Sequence, residues 1–169
     1  MRQLNNKGFT LLEIIIVIVI FAIGMTIAIP GIMDMGQRGQ IKSEARQLKD
    51  SLAEARIEAI ERNSWVTVDY SQVNNNYVMF VDDTPHNYTL DAGEVVINTT
   101  TLSASKYDVT QGGGDGIAIG LGNAVSWDAK GMPYSSGGGL SNGSIYLTGD
   151  NTSYQISINQ TGNVHIDQY

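Results

Sequence analysis

The hydrophobic pattern of the chain begins with an apolar run from Phe9 to Ile29. These 21 residues contain one charged side chain, Glu13. At a rise of about 1.5 Å per residue, a helix of this length spans roughly 30 Å, the thickness of the hydrocarbon core of a bilayer. The pattern therefore predicts a transmembrane helix. A carboxylate inside such a helix costs on the order of 2.5–3.5 kcal/mol, which indicates a function and a partner for Glu13.

A second apolar pattern follows after Pro30 and is typical of an amphipathic helix. Apolar residues recur at alternating spacings of four and three positions along one helix face. They are Ile41, Ala45, Leu48, Leu52, Ala55 and Ala59. Because Ala53, Ile57 and Ile60 widen this stripe, we expect that half of the helix to be buried.

The two apolar patterns together predict one long helix from about residue 10 to residue 62. Asn63 and Ser64 follow it and are expected to end it. Gly24 and the pair Pro30 and Gly31 are the helix breakers at which we expect a kink, because proline removes a backbone donor and glycine weakens helical geometry.

Beyond Ser64 the pattern changes to the alternation that is typical of strands. The runs "WVTVDY" and "NYVMFVD" predict a hairpin, and "EVVINTT" predicts a further strand. The glycine-rich stretches "TQGGGDG" and "SSGGGLSNG" predict loops, with one or two strands between them and three more at the end. We therefore expect an α+β fold in which the helix stripe covers one face of an antiparallel sheet of six to eight strands. The pairing order within residues 82–143 stays open.

Composition and charge narrow the range of functions. The 169 residues include no cysteine, which excludes disulfides, thiolate metal sites and cysteine nucleophiles. From Ser64 onward, ten acidic residues face only Lys106 and Lys130. Binding to nucleic acid depends largely on Lys and Arg near phosphates, so an acidic domain argues against a nucleic-acid partner.

The first eight residues carry two basic side chains, Arg2 and Lys7. The positive-inside rule then places the N-terminus in the cytoplasm and everything after Pro30 on the outer face of the membrane. No convincing signal-peptidase site follows the apolar run, which is also longer than a usual secretory signal, so we expect it to be retained as an anchor.

The stretch "KGFTLLE" resembles the type IV prepilin signal, in which a basic leader ends in glycine and a glutamate lies shortly after the new N-terminus. The resemblance implies that a prepilin peptidase/methyltransferase cuts between Gly8 and Phe9 and N-methylates Phe9. It also implies that Glu13 guides the subunit into a filament, with other pilin or pseudopilin subunits and an inner-membrane assembly platform as partners. The resulting division is a leader (1–8), a transmembrane or filament-core half of the helix (9–30), an amphipathic half (31–63) and a periplasmic β-rich domain (64–169).

Three further stretches resemble the GspH/FimT family of minor pilins and pseudopilins. They are "EARIEAIERNSWVTVDY" at the end of the predicted helix, "VSWDAKGMP" in the middle of the domain, and "YQISINQTGNVHI" near the C-terminus. The resemblance is weak over residues 82–123. It implies a low-copy subunit at the tip of a filament. Where the family often has a basic residue after the glycine of the last turn, this chain has Asn163.

Motifs for catalysis, cofactors or metals are not recognisable in the sequence. No phosphate loop or paired histidine spacing occurs, and the G-x-S-x-G spacing at residues 139–143 lies in the glycine-rich stretch "SSGGGLSNG" that predicts a loop, not in a strand-to-helix elbow. We therefore predict no enzymatic activity, no cofactor and no metal site, and leave open whether the loops at Asp82–Asp83 or Asp150–Asn151 bind calcium.

Three functions remain. The first is a minor pseudopilin in the periplasmic filament of a type II secretion system. The second is a minor pilin that primes or tips a type IV pilus for adhesion, motility or DNA uptake. The third is a membrane-tethered binding module that never polymerises, which Glu13 argues against because a simple tether gains nothing from a carboxylate in the membrane.

Overall fold

A computed structural model of the protein describes residues 10–83, 85–120, 122–139 and 142–169, with the backbone alone over residues 27–35. The chain divides into two compact units, Met1–Gly36 and Gln37–Tyr169. Gly8 and Phe9, the residues of the predicted cleavage site, lie outside the described residues.

One α-helix, α1, runs from Leu11 to Arg62. The residues that follow Arg62 show why the helix ends there. Asn63 adopts a left-handed conformation with φ of 51°, and the Ser64 amide donates to the Ala59 carbonyl at 3.2 Å. The Asn63 amide donates to the Ile60 carbonyl at 3.3 Å, which completes a Schellman motif. The predicted extent of the helix and its predicted end at Asn63 and Ser64 are thus confirmed.

In the described part of the chain, ten strands follow the helix, all paired antiparallel. In chain order they are β1 (Val66–Ser71), β2 (Asn76–Val81), β3 (Val95–Thr101), β4 (Lys106–Tyr107), β5 (Ile117–Ile119), β6 (Ala124–Trp127), β7 (Pro133–Ser135), β8 (Gly143–Gly149), β9 (Thr152–Ile158) and β10 (Val164–Gln168). The predicted hairpin of the first two strands is confirmed, with an unbroken register from Val66 opposite Val81 to Ser71 opposite Asn76.

The strands form two sheets where the sequence predicted one. The first sheet has the order β3-β2-β1-β6-β7, and the second has the order β10-β9-β8-β4, with β5 also paired to β8. The expected count of six to eight strands was too low. Strands of two or three residues, such as β4 and β7, are too short to show alternation, and they exist because a longer neighbouring strand provides hydrogen-bond partners.

The core of the unit Gln37–Tyr169 is one cluster to which the helix and both sheets contribute. All six residues of the predicted helix stripe, from Ile41 to Ala59, are buried in it. They meet Val68 and Trp127 from the first sheet and Leu147 and Ile156 from the second in the same cluster. The α+β class and the packing of the helix on antiparallel sheet are therefore confirmed.

The prediction that Ala53, Ile57 and Ile60 are also buried was wrong. All three are exposed, with 54% of Ile57 and 48% of Ile60 accessible to solvent. Each lies one or two positions after a buried residue, and one helical position is a rotation of about 100°. The sheets therefore cover the stripe itself and leave these neighbouring side chains uncovered.

Candidate functional site

Glu13, the predicted assembly residue, lies in the first turn of α1 and is exposed. Its backbone amide donates to Thr10 Oγ1 at 3.3 Å, so Thr10 caps the helix. Thr10-x-x-Glu13 has the spacing of a capping box, and a carboxylate in the first turn interacts favourably with the helix dipole. No basic side chain pairs with Glu13 among the residues that the structure describes. The capping role of Thr10 was not predicted from the sequence, although the Thr-x-x-Glu spacing indicates it.

The helix after Glu13 exposes apolar side chains all around. Every large apolar residue described between Leu11 and Met25 is exposed, including Ile16, Ile20 and Phe21. A helix that is apolar on every face normally lies in lipid or inside an assembly. Within the described residues, none of the helices is long and apolar enough to cross a membrane.

The predicted kink at Gly24, Pro30 and Gly31 stays a prediction. The helix continues through all three positions to Arg62. A Cβ placed at Gly24 would have no described atom within 4 Å. Pro30 and Gly31 belong to the segment that is described by its backbone alone.

Arg56 marks the point where three distant segments of the domain meet. Its Nη1 donates to the Gly162 carbonyl at 3.5 Å. A Cβ at Gly131 would lie 3.0 Å from Arg56 Nε and 2.8 Å from Ile60 Cδ1, and a Cβ at Gly162 would lie 3.0 Å from the Gly131 carbonyl. Both glycines have positive φ, 73° and 78°. The end of the helix is therefore seated between the β6–β7 turn and the β9–β10 turn, and only glycine fits at the contact.

Glu44 ties the helix to the loop between β3 and β4. Its carboxylate accepts five hydrogen bonds, from the amides of Ser103, Ala104 and Ser105 and from both serine hydroxyls, at 2.6–2.9 Å. Burial alone would raise the pKa of Glu44, but the hydrogen bonds from Ser105, Ala104 and Ser103 outweigh it and lower the pKa below 4.5. The arrangement holds the loop by a charge-assisted network.

A buried polar network surrounds Asp82, which is fully buried. His86 Nε2 lies 3.1 Å from Ser126 Oγ and 3.8 Å from Asp82 Oδ2, and Thr67 Oγ1 lies 2.9 Å from Asp82 and 2.8 Å from Ser126. Trp65 stacks on His86 with ring centroids 4.0 Å apart. Burial lowers the pKa of His86 below 6.5, although the Asp82 charge opposes this effect.

This network has the residue types of a catalytic triad without its geometry. Serine and aspartate both face the same imidazole nitrogen, whereas a triad needs them on opposite nitrogens. Ser126 is also fully buried, so a substrate has no access to it. We therefore assign the network to holding the loop after β2 onto the first sheet. Among the described residues, no group of three potential ligands is arranged to hold a metal ion.

Comparison with known protein families identifies the family of this chain. Residues 44–162, more than half of the chain, match the family described as type II transport protein GspH. The chain belongs to the GspH family. Residues 3–29 also match the prokaryotic N-terminal methylation motif. This motif implies processing by a prepilin peptidase and assembly with pilin or pseudopilin subunits.

Similar proteins of known structure share the fold of this GspH-family chain. The minor pilin FimU of Pseudomonas aeruginosa matches with a TM-score of 0.53 and 13% identity, over 77% of this chain and 90% of FimU. The minor pseudopilin EpsH of the type 2 secretion system of Vibrio cholerae matches with a TM-score of 0.50 and 13% identity, over 76% of this chain and 97% of EpsH. At this identity the likeness establishes the pilin-like fold alone.

A related sequence comes from Thermus thermophilus. The pilin-like protein PilA1 is 32% identical to this GspH-family chain over 92 residues. The match spans 54% of this chain and 57% of PilA1, which is less than two thirds of that relative. The predicted resemblance to prepilins and to GspH/FimT proteins is confirmed by the two family matches.

Proposed function

We propose that the protein is a minor pseudopilin in the periplasmic filament of a type II secretion system, where it supports protein export across the outer membrane. It is a single-pass protein of the bacterial inner membrane, with a cytoplasmic N-terminus and a periplasmic C-terminal domain, until it enters the filament. GspH-family proteins are structural subunits, so this role includes no catalytic step, cofactor or nucleic acid.

The observation that carries the proposal is the match of residues 44–162 to the GspH family. The exposed apolar helix from Leu11 to Met25 supports it, because such a surface needs lipid or other subunits around it. The prepilin peptidase/methyltransferase acts on the chain first, cutting between Gly8 and Phe9, and the inner-membrane assembly platform then receives it.

A second candidate function is a minor pilin that primes or tips a type IV pilus. The similarity of the fold to FimU favours it, since that protein is itself a minor pilin of type IV pili. The acidic domain beyond Ser64 argues against direct DNA contact in either role. A membrane-tethered module that never polymerises remains the third candidate, of another class.

Deleting the gene separates the candidates. In the proposed role, the deletion strain retains proteins in its periplasm that the parent exports, while surface pili and pilus-driven motility stay at the parental level. Loss of pili with normal export would replace the proposal by the pilus role. Normal export together with normal pili would leave the tether as the remaining candidate.

Processing and assembly are tested on the full-length chain. We expect intact-mass measurement of the membrane-extracted protein to show a chain that begins at N-methylated Phe9. Glu13→Ala should be cut and inserted normally but enter sheared filaments less than the unaltered chain, with Glu54→Ala as the matched control. Incorporation of Glu13→Ala at the control level would contradict the assembly role of Glu13.

A further inference from the structure

The outer face of the second sheet contains a groove with a floor of small side chains. Four residues lie side by side across β5, β8, β9 and β10, because the strand registers pair each with the next: Ala118, Ser144, Ser157 and His165. Their neighbours along each strand face the core, so these four face solvent. The short alanine and serine side chains leave room for a cavity of about 590 Å³, a volume within the usual range for small-molecule sites.

The lining of this groove is uncharged apart from one imidazole. Among the described residues it contains hydroxyl and amide side chains, together with His165, and no lysine, arginine, aspartate or glutamate. His165 Nε2 lies 3.2 Å from Asp167 Oδ1, so a carboxylate beside the groove already partners it. A charged ligand would lose water here without gaining an opposite charge. The ligand that suits this lining is therefore uncharged and rich in hydrogen-bonding groups.

Gln155 and Ser144 present a donor and an acceptor in fixed positions at the groove. Gln155 Nε2 donates to Ser144 Oγ at 2.8 Å and to Tyr146 Oη at 3.4 Å. These bonds orient the amide and leave its Oε1 as an acceptor and the Ser144 hydroxyl hydrogen as a donor. In the described part of the chain, neither has a further hydrogen-bond partner. A donor next to an acceptor matches the hydroxyl groups of a sugar, which donate and accept together.

The turn between β9 and β10 adds amide groups to the lining. Asn159 Oδ1 accepts hydrogen bonds from the amides of Thr161 and Asn163 at 3.0 and 2.9 Å, which leaves the Asn159 Nδ2 group to donate elsewhere. Asn159 and Asn163 both line the groove, and Ala118 and Ile158 supply apolar surface beside them. An acetamido group combines one amide with one methyl group, so it matches this mixture of amide and apolar surface.

Two tyrosines extend this face beyond the groove. Tyr146 follows Ser144 by two positions on β8, so it lies on the same face of the sheet. The ring of Tyr169 packs edge to face against Tyr146 at 5.8 Å, and Tyr169 Oη donates to Asp108 Oδ2 at 2.7 Å. The aromatic pair is thus held in place next to the hydrogen-bonding groups. Sugars suit this combination, because their rings carry apolar C–H groups on the faces and hydroxyl groups at the edges.

We propose that this groove binds an uncharged oligosaccharide of N-acetylated hexosamines. Sugar hydroxyls bond with Gln155 and Ser144, and an acetamido group bonds with Asn159 while its methyl group packs on Ala118. The choice of this glycan rests on the proposed function, because a periplasmic domain lies beside the cell wall, whose glycan strands consist of N-acetylated hexosamines. Binding gives the subunit a contact with the wall that is separate from its contacts with other subunits.

Titration of the full-length protein in phosphatidylcholine nanodiscs tests the proposal. The chain has no cysteine, so Val73→Cys, at a position that is 95% exposed in the turn between β1 and β2, provides one site for a fluorescent label away from the second sheet. Thermophoresis of the labelled protein measures binding of chitohexaose, an uncharged oligomer of N-acetylglucosamine. Cellohexaose has the same linkage with hydroxyl groups in place of the acetamido groups, and should bind roughly tenfold more weakly because the amide contacts are lost.

Filling the groove provides the sharpest comparison between variants. Ala118→Phe places a large side chain on the floor and should abolish binding of chitohexaose. Ala92→Phe is the matched control, the same change at an exposed alanine in the loop before β3, and should leave binding unchanged. Ser157→Phe fills the same floor from β9 and should repeat the loss. Both floor positions face solvent, so thermal midpoints should stay at the value of the control.

Removing the hydrogen-bonding groups tests the chemistry of the groove rather than its shape. Gln155→Leu should weaken binding of chitohexaose roughly tenfold, because one donor and one acceptor are lost. Gln168→Leu, at an exposed position that does not line the groove, is the matched control and should bind like the unaltered chain. Equal binding by the two variants would contradict the role of Gln155.

Three other results would overturn the proposal. They are failure of chitohexaose to bind the unaltered chain, equal binding by Ala118→Phe and Ala92→Phe, and equal affinity for chitohexaose and cellohexaose. If the filled variants instead lose a self-association that unaltered copies show in sedimentation, the groove is an interface between copies and the proposal is wrong. None of these measurements needs a secretion system, so failure of glycan binding and failure of the proposed function in the deletion strain are distinguishable.

Discussion

From Leu11 to Met25, every described large apolar side chain of α1 is exposed, whereas from Ile41 to Ala59 the same helix buries a single apolar stripe in the core. The difference follows from the sequence. The first segment is apolar at nearly every position, so no face of it suits water. The second is apolar at every third or fourth position, and its remaining positions are mostly charged or polar.

This contrast concerns what packs against each segment of the helix. The sheets of the unit Gln37–Tyr169 cover the second segment, and the core cluster among the described residues begins at Ile41. Nothing in that cluster comes from the first segment. A helix segment that is apolar on every face normally lies in lipid or inside an assembly, which agrees with a prepilin-type N-terminus.

The largest effect is expected from shortening a buried side chain of the second segment. In a soluble chain beginning at Gly36, which contains the whole core cluster and should fold as a monomer, Leu52→Ala should lower the free energy of unfolding by about 2–5 kcal/mol because it leaves a cavity. Urea unfolding followed by circular dichroism measures this. Ile57→Ala is the matched control and should change the value by no more than about 0.5 kcal/mol. An equal loss at Ile57 would contradict the distinction between the buried stripe and the exposed apolar positions beside it.

A smaller effect is expected where the end of α1 packs against the β6–β7 and β9–β10 turns. Gly162→Ala introduces a side chain at φ of 78° and places its Cβ 3.0 Å from the Gly131 carbonyl. Gly138→Ala has the same φ of 78° with no atom within 4 Å, so it isolates the backbone strain of about 1–2 kcal/mol. We expect Gly162→Ala to lower the thermal midpoint more than Gly138→Ala does. Equal midpoints would mean that the close approach of the two turns contributes nothing.

The smallest effect concerns pH. The pKa of Glu44 is lower in the folded chain than its ordinary value of 4.5, so its carboxylate contributes stability above pH 4.5 that is lost as pH falls below that value. Glu44→Gln should reduce stability near neutral pH and flatten the decline toward pH 3. Glu54→Gln, on the exposed face of the same helix, should leave the shape of the pH profile unchanged. Unfolding midpoints measured between pH 7 and pH 3 compare the two.

Periodicity alone predicted much of the fold. Helical spacing identified all six buried residues of the stripe, and alternation identified the β1–β2 hairpin. The separation into two sheets was not predictable, because β4 and β7 owe their conformation to neighbouring strands rather than to their own two or three residues. The burial of Ile57 and Ile60 was predicted wrongly because hydrophobicity does not tell whether a helix face meets a sheet or another molecule.

The candidate sites likewise divide into one that the sequence alone identifies and others that only the structure reveals. The stretch "KGFTLLE" is contiguous, so sequence suffices to recognise it. The network around Asp82 joins His86 to Ser126 across 40 positions of the chain, and no spacing signals such a contact. Arg56 lies inside a recognisable family stretch, but its position between Gly131 and Gly162 follows from how two hairpin turns meet in space.

Accessibility of the first helix segment in membranes tests the central claim most directly. Ile16→Cys and Val73→Cys, each the one cysteine in the full-length chain, are treated in membrane vesicles with a water-soluble maleimide that does not cross bilayers, applied to the periplasmic face. If lipid or other subunits cover the first segment, Val73→Cys reacts at once and Ile16→Cys reacts only after the membrane is dissolved and the protein unfolded. Equally fast labelling at both positions in intact vesicles would contradict the account.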